Sequence, residues 1–278
     1  MKQFILQSSP DESGIVRLSG ADYHYLARVR RFTIGTVFNA LLPNGETARI
    51  RVRAVNGDWL EGERVADAGP ALMPEAIPLI SLFQALPKGA KMDLIVRQAV
   101  ECGVAEIVPF TSAYSVPKIA DDKDRIARWE RIVREARQQS GSSVATVVHA
   151  PLSFDGLLQH WTVMQEQHGD GVKGVMLHPF AAQAARVAQA ARVAHAMPVS
   201  FHACLEQSDT SKPIALAVGP EGGFSPSEAA RFTEAGFTAL TLGNTILRTE
   251  TAVVYAVAAI RIILLERTSW ILNSSAKQ

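Results

Sequence analysis

Two glycine-rich breaks toward the C-terminus carry the residue types best suited to chemistry. In LAVGPEGGFSPSEA, residues 216–229, an apolar run breaks on Gly219-Pro220-Glu221-Gly222-Gly223. It restarts at Ser225-Pro226-Ser227-Glu228, a capping box with proline at the first helical position. Strand, glycine loop and helix in that order are the usual setting for a nucleotide, yet neither GxGxxG nor a lysine-bearing phosphate loop is present. Glu221 stands where a phosphate loop carries lysine, and its carboxylate would repel a pyrophosphate seated on the helix terminus. A ligand with hydroxyls and a positive centre fits better, and glycines let backbone groups approach a flat base or ribose because they lack a Cβ. The second break, Gly243-Asn244-Thr245, follows FTALTL and opens ILRTETAVVYAVAAI with Arg248, Thr249, Glu250 and Thr251. One such loop is most simply a tight turn; two, each with a glutamate and small polar residues, suggest a shared rim of a sheet.

The elements that must hold these loops are written in two grammars. Residues up to about 70 are strand-rich: TVFNALLPNGETARIRVRAV has a Pro43-Asn44-Gly45 turn followed by alternation through Ala48, Ile50, Val52 and Ala54, with Arg49, Arg51 and Arg53 on the other face. Upstream, HYLARVRRFTIG gathers Arg28, Arg30 and Arg31 beside Tyr23, His24 and Tyr25 on a short helix or turn. Two basic clusters on a small β domain suggest a surface for a phosphate backbone. The stretch ADAGPALMPEAIP has no periodicity and places a boundary near residue 72.

From Leu79 strand and helix alternate. LISLFQAL reads as a buried strand, KMDLIVRQAVECG as a helix with Met92, Ile95, Val96, Ala99 and Cys102 on one face, and VAEIVPF as the next strand. A helix over about 122–139, strands at GVMLHP, IALAVG and FTALTL, and an alanine-rich helix around ARVAQAARVAHA complete an α/β pattern. Such alternation predicts a mostly parallel sheet whose ligands lie at the carboxyl ends of the strands.

Composition narrows the classes. The chain has 278 residues, 47% of them hydrophobic, and a formal net charge of +1, so a nucleic acid must be met by local patches and not by the global field. Cys102 and Cys204 have no metal-ligand or disulfide spacing. The opening apolar stretch is too short for a secretory signal and the run from Ala252 to Leu265 is interrupted by Arg261, so a cytoplasmic protein with no membrane partner is expected.

These residues carry a family resemblance. QALPKGAKMDLIVRQAVECGVAEIVPF, LHP, AVGPEGGFSPSEAARFTEAGFTALTLG and ILRTETA resemble the ribosomal small-subunit methyltransferase E family, which methylates N3 of a uridine in 16S ribosomal RNA; HYLARVRRFTIG is similar to its N-terminal signature. The resemblance covers nearly the whole chain. It implies a SPOUT-type α/β domain with a deep trefoil knot over residues 73–278, a PUA-like RNA-binding β-barrel over residues 1–72, a homodimer, S-adenosylmethionine as methyl donor, and 16S RNA or the 30S subunit as partner. By motif, Leu177, His178 and Pro179, then Gly219, Glu221 and Gly223, then Leu242, Gly243, Ile246, Leu247, Thr249 and Thr251 correspond to cofactor contacts.

Methyl transfer is an in-line displacement, so alignment and exclusion of water dominate. Uracil N3 must lose or share its proton, and an arginine against O2 or O4 would stabilise the developing anion. Arg248 is assigned that role, held by Glu250; no dedicated base stands out. Arg28, Arg30, Arg31, Lys88, Lys91, Lys118 and Arg134 are candidate RNA contacts, with Arg137 beside them. The chain departs from the family pattern at Ala113, Tyr114, Gln138, Ser142 and Thr245, where arginines and glutamates are usual. Those departures motivate two alternatives: a SPOUT enzyme acting on another RNA, or a homologue that binds RNA or cofactor without full catalysis. A redox Rossmann enzyme lacks its glycine spacing and ribose-binding acid.

Overall fold

The computed structural model describes residues 3–65, 78–116, 123–178, 200–206, 208–243 and 245–275. The expected boundary near residue 72, the alanine-rich stretch, Lys118 and Pro179 lie outside the described residues. Two compact units are present: Met1–Pro74 with Arg134–Ala145, and Glu75–Val133 with Thr146–Gln278.

In the first unit β1 (Phe4–Ile5), β2 (Ile15–Ser19), β3 (Val37–Leu41), β4 (Thr47–Val55) and β5 (Trp59–Val65) form a sheet in the order β1-β3-β4-β5-β2. Period-two alternation sends Ala48, Ile50 and Val52 inward to join Phe4, Leu18, Leu26, Phe38 and Leu60 in one core. Gly62 is required on β5 because a Cβ there would meet Ile50 Cγ2 at 2.4 Å. The β4–β5 register slips between Val52 and Ala54, leaving Arg53 as a bulge residue. Between β2 and β3, α1 (Gly20–Tyr23) runs into a π-helical turn, His24–Val29.

The second unit is an entirely parallel seven-stranded sheet. Its main order is β12-β10-β11-β6-β7-β8, for β6 (Ile80–Ala85), β7 (Glu106–Thr111), β8 (Val147–Val148), β10 (Lys173–Leu177), β11 (Ile214–Val218) and β12 (Phe237–Leu240); β9 (Leu152–Ser153) pairs with β7. Strands covered on both faces read as continuous apolar runs, and every residue of IALAV in β11 and ISLFQA in β6 is buried. The helices are α2 (Lys91–Glu101), α3 (Lys123–Ser140), which counts with the first unit from Arg134 onward, α4 (Phe154–His168), α5 (Phe201–Glu206), α6 (Pro226–Glu234) and α7 (Thr249–Ser275). α2 buries the apolar face read from its spacing, Met92, Ile95, Val96 and Ala99. Phe232 on α6 is fully buried and meets Phe224, Phe154 and Phe237 with ring centroids 4.9–5.1 Å apart.

At the opposite, N-terminal side of this sheet, Ser81 Oγ donates to Glu106 Oε2 at 2.8 Å, while His149 Nε2 and His160 Nε2 lie 2.7 and 3.1 Å from Oε1. Burial pushes the Glu106 carboxyl up, but the hydrogen bonds from His149, His160 and Ser81 outweigh it and hold the group well below the usual carboxylate range. A depressed carboxylate contributes stability that is present above its unfolded pKa, about 4.3, and is lost as pH falls toward the folded value. Glu106→Gln is therefore expected to lower the denaturation midpoint at neutral pH and to flatten the acid limb of stability below about pH 5. Urea titrations of both forms across that range check this.

Candidate active site at the rim of the parallel sheet

Because all strands of the second unit are parallel, their carboxyl ends share one edge. Three of the segments singled out in the sequence leave that edge from adjacent strands, β12, β10 and β11. Leu177 ends β10, and the His178 amide donates to Leu240 O at 3.0 Å, tying that exit to the end of β12. Burial pushes the His178 imidazole below its ordinary pKa, partly opposed by a backbone hydrogen bond to Phe224.

The loop after β11 folds back on itself. Gly223 donates its amide to Pro220 O at 2.9 Å and takes a φ of 71°, a left-handed conformation that favours glycine. A Cβ on Gly219 would lie 3.0 Å from Gly223 C and Cα, which are backbone atoms with little freedom to yield. The loop is fastened from behind by a relay: Gln84 Nε2 donates to Thr249 Oγ1 at 3.2 Å and Thr249 Oγ1 donates to Gly219 O at 2.7 Å. Gln84 is fully buried, with no partner for its Oε1 among the described residues. The signal for it in the sequence is an amide side chain inside the buried strand ISLFQA, near its carboxyl end. The capping box forms as expected: Glu228 accepts from the Ser225 amide at 2.9 Å and, beyond the box, from the Ala113 amide at 2.8 Å.

Glu221 does not face outward alone. Its carboxylate lies 2.6 Å from Lys91 Nζ and accepts from the Lys88 amide at 3.3 Å. Burial works against the charge, yet these bonds, led by Lys91, hold its carboxyl below the ordinary range. Lys91 Nζ is also 3.9 Å from Glu250 Oε2. Lys91, expected as an RNA contact, bridges Glu221 of the first loop and Glu250 in the first turn of α7, and Lys88 keeps an exposed side chain. The expected Arg248–Glu250 pair is not formed. Arg248 is the residue whose carbonyl receives the Ala252 amide, so its side chain departs before the first turn of α7, whereas Glu250 lies within that turn and faces Lys91. Arg248 is exposed and makes no ion pair or side-chain hydrogen bond among the described residues.

The second loop leaves Gly243 at a φ of 92° and Thr245 and Ile246 exposed, Ile246 at 92%; Leu242 and Leu247 are half-buried, and Thr251 is exposed. No cluster among the described residues is arranged to hold a metal.

In the first unit, Arg28, Arg30 and Arg31 are exposed around the π-helical turn, with Val29 and Ile34 also exposed. The arginine face of β4 is less free than its sequence suggested, because β5 presents acids across from it: Arg51 pairs with Glu63 at 3.3 Å, and Arg17 on β2 pairs with Glu61 at 3.3 Å. The Arg134 charge acts on Asp22 of the same unit while its own side chain stays exposed, and Arg137 is half-buried.

A parallel sheet with glycine loops at the carboxyl ends of β11 and β12, on either side of β10, one acidic and one opening a long helix, is an α/β frame with a ligand-binding rim. A family model described as an RNA methyltransferase domain matches residues 74–261. The ribosomal RNA small subunit methyltransferase E of Bacillus subtilis is 27% identical over 90% of this chain and 91% of its own. That of Synechocystis sp. is 31% identical over 90% of this chain and 73% of its own. Among solved structures, the enzyme of that name from Neisseria gonorrhoeae, bound to S-adenosyl methionine, superposes with a TM-score of 0.71 and 25% identity over 95% of this chain and 98% of its own. The chain belongs to the ribosomal RNA small subunit methyltransferase E family.

Proposed function

We propose that this protein transfers a methyl group from S-adenosylmethionine to N3 of a uridine in 16S ribosomal RNA. The observation that carries the reading is the convergence of the Leu177–His178, Gly219–Gly223 and Leu242–Leu247 segments on adjacent strand ends. The residues present fit that cofactor. Glu221 and Glu250 share one ammonium, Lys91, which leaves net negative charge to complement a sulfonium. Exposed Ile246 with Leu242 and Leu247 offers apolar surface to an adenine, and the glycine backbone at 219–223 admits close approach.

S-adenosylmethionine, when bound, supplies an electrophilic methyl group. The chain's own work is to orient the uracil and accommodate the charge that grows on its carbonyl oxygens as N3 gives up its proton. Arg248, exposed at the rim and unpaired among the described residues, is the donor for that charge. Glu250 acts through Lys91, which it and Glu221 hold across the two loops. His178, Thr249 and Thr251 complete the cofactor side, Thr249 by fixing the Gly219 carbonyl. Gly219→Ala is expected to introduce strain of about 1–3 kcal/mol and to weaken S-adenosylmethionine binding about tenfold or more, measured by calorimetry.

The same reading assigns RNA capture to the first unit as a PUA-like barrel, with Arg28, Arg30 and Arg31 on phosphates and Lys88 at the rim. It assigns a SPOUT-type trefoil knot to the second unit. It also assigns a homodimer: Tyr255 and Ile262, seven residues apart on α7 and therefore on one face, are 56% and 55% exposed. Tyr255→Glu with Ile262→Glu is expected to halve the solution mass, read by light scattering. No helix among the described residues is long and apolar enough to cross a membrane.

The test is transfer of labelled methyl from S-adenosylmethionine to 30S subunits lacking the modification, followed by mapping of the nucleotide. Label as N3-methyluridine in 16S RNA is the expected result. Label in another RNA, or cofactor binding without transfer, would replace this reading.

A further inference from the structure

The turn that follows β7 presents an aromatic side chain at the same rim. Ser112–Ser115 is closed by the Ser115 amide on Ser112 O at 3.0 Å and the Ser112 amide on Ser115 Oγ at 3.2 Å. Its second residue, Ala113, is anchored by its amide to the buried Glu228 carboxylate at 2.8 Å. The third, Tyr114, packs against the glycine loop: a Cβ on Gly222 would lie 3.0 Å from Tyr114 Cβ and 3.3 Å from Cγ. Yet Tyr114 is 50% exposed, and among the described residues its ring has no aromatic neighbour and its hydroxyl no hydrogen-bond partner. A rigid turn holding a half-exposed aromatic ring against a candidate active-site loop does little for the core, which Tyr114 does not join.

We propose that Tyr114 is a stacking platform for an unpaired base of the RNA substrate. The proposal rests on the RNA-methylation reading above and adds a binding site to it. Uridine N3 lies on the Watson–Crick edge, so a uridine methylated there must be unpaired, and it and its neighbours lose stacking when they enter the site. An aromatic face restores that stacking in a manner tolerant of base identity. Tyrosine also offers its ring at low entropic cost, having two side-chain torsions, and here the turn and the glycine loop already restrain it. Gly222 is the enabling residue on the opposite side, since a larger side chain would occupy the space the tyrosine uses.

Tyr114→Phe and Tyr114→Leu separate the ring from the bulk. Each full-length protein is titrated with a single-stranded RNA of the 16S sequence around the methylated uridine, carrying 2-aminopurine beside that position. 2-Aminopurine fluorescence falls when the base stacks on an aromatic ring. Wild type and Tyr114→Phe are expected to quench it; Tyr114→Leu is expected not to, and to raise KM for unmodified 30S subunits about tenfold while binding S-adenosylmethionine as wild type does. Equal quenching and equal KM in the leucine variant would overturn the proposal. If none of the three forms transfers methyl to 30S subunits, the enzymatic reading fails by that result alone, and the quenching comparison still decides whether Tyr114 stacks a base.

Discussion

Arg248→Ala is expected to slow methyl transfer about 100- to 1000-fold, the loss typical of removing one donor from a developing oxyanion, while S-adenosylmethionine still binds. The fold is expected to move the other way. Arg248 places a cation at the N-terminus of α7, beside the positive end of the helix dipole, and no carboxylate among the described residues pairs with it. Such a charge costs about 0.3–1 kcal/mol when exposed, so the alanine variant should melt slightly higher than wild type. Single-turnover rates on unmodified 30S subunits and thermal melts of the same preparations check both. A variant that loses stability while keeping its rate would make Arg248 a structural residue and not a catalytic one.

Phe232→Ala is expected to lower stability by about 3–5 kcal/mol, the usual cost of emptying a buried phenylalanine site. That is a large share of the roughly 5–15 kcal/mol that holds a domain folded. Phe232 is fully buried between Phe224, Phe154 and Phe237, with Phe110 at 6.4 Å. Phe224 directly follows the glycine loop, so the cavity would also loosen the segment that places Glu221. Urea unfolding gives the first effect, and calorimetric titration with S-adenosylmethionine gives the second as weaker binding in the surviving folded protein. Unchanged denaturation midpoints would show that the aromatic cluster closes over the gap.

Local chemistry made much of this molecule legible. The capping box Ser225-Pro226-Ser227-Glu228 formed at its predicted place because its bonds join residues three apart. The strands at 80–85, 106–111, 173–177, 214–218 and 237–240 were visible as apolar runs because a doubly covered parallel sheet demands them. Charge partners were the part the sequence did not disclose: β5 places Glu63 across from Arg51, Glu221 and Glu250 meet Lys91, and Arg248 does not pair with the glutamate two residues away.

The sequence by itself determined where the two glycine loops begin, which helices follow them, and that the loops leave a mostly parallel sheet, since each depends on residues adjacent in the chain. Only the tertiary structure decided that β10 lies between β11 and β12, bringing three distant loops to one edge. It alone decided that Gln84, Thr249 and Gly219, far apart in sequence, form one relay, and that Tyr114 rests against Gly222. The division follows from the reach of the forces. Capping and periodicity act over one or two turns, whereas strand order, ion-pair partners and ring contacts depend on which surfaces meet after the whole core has closed.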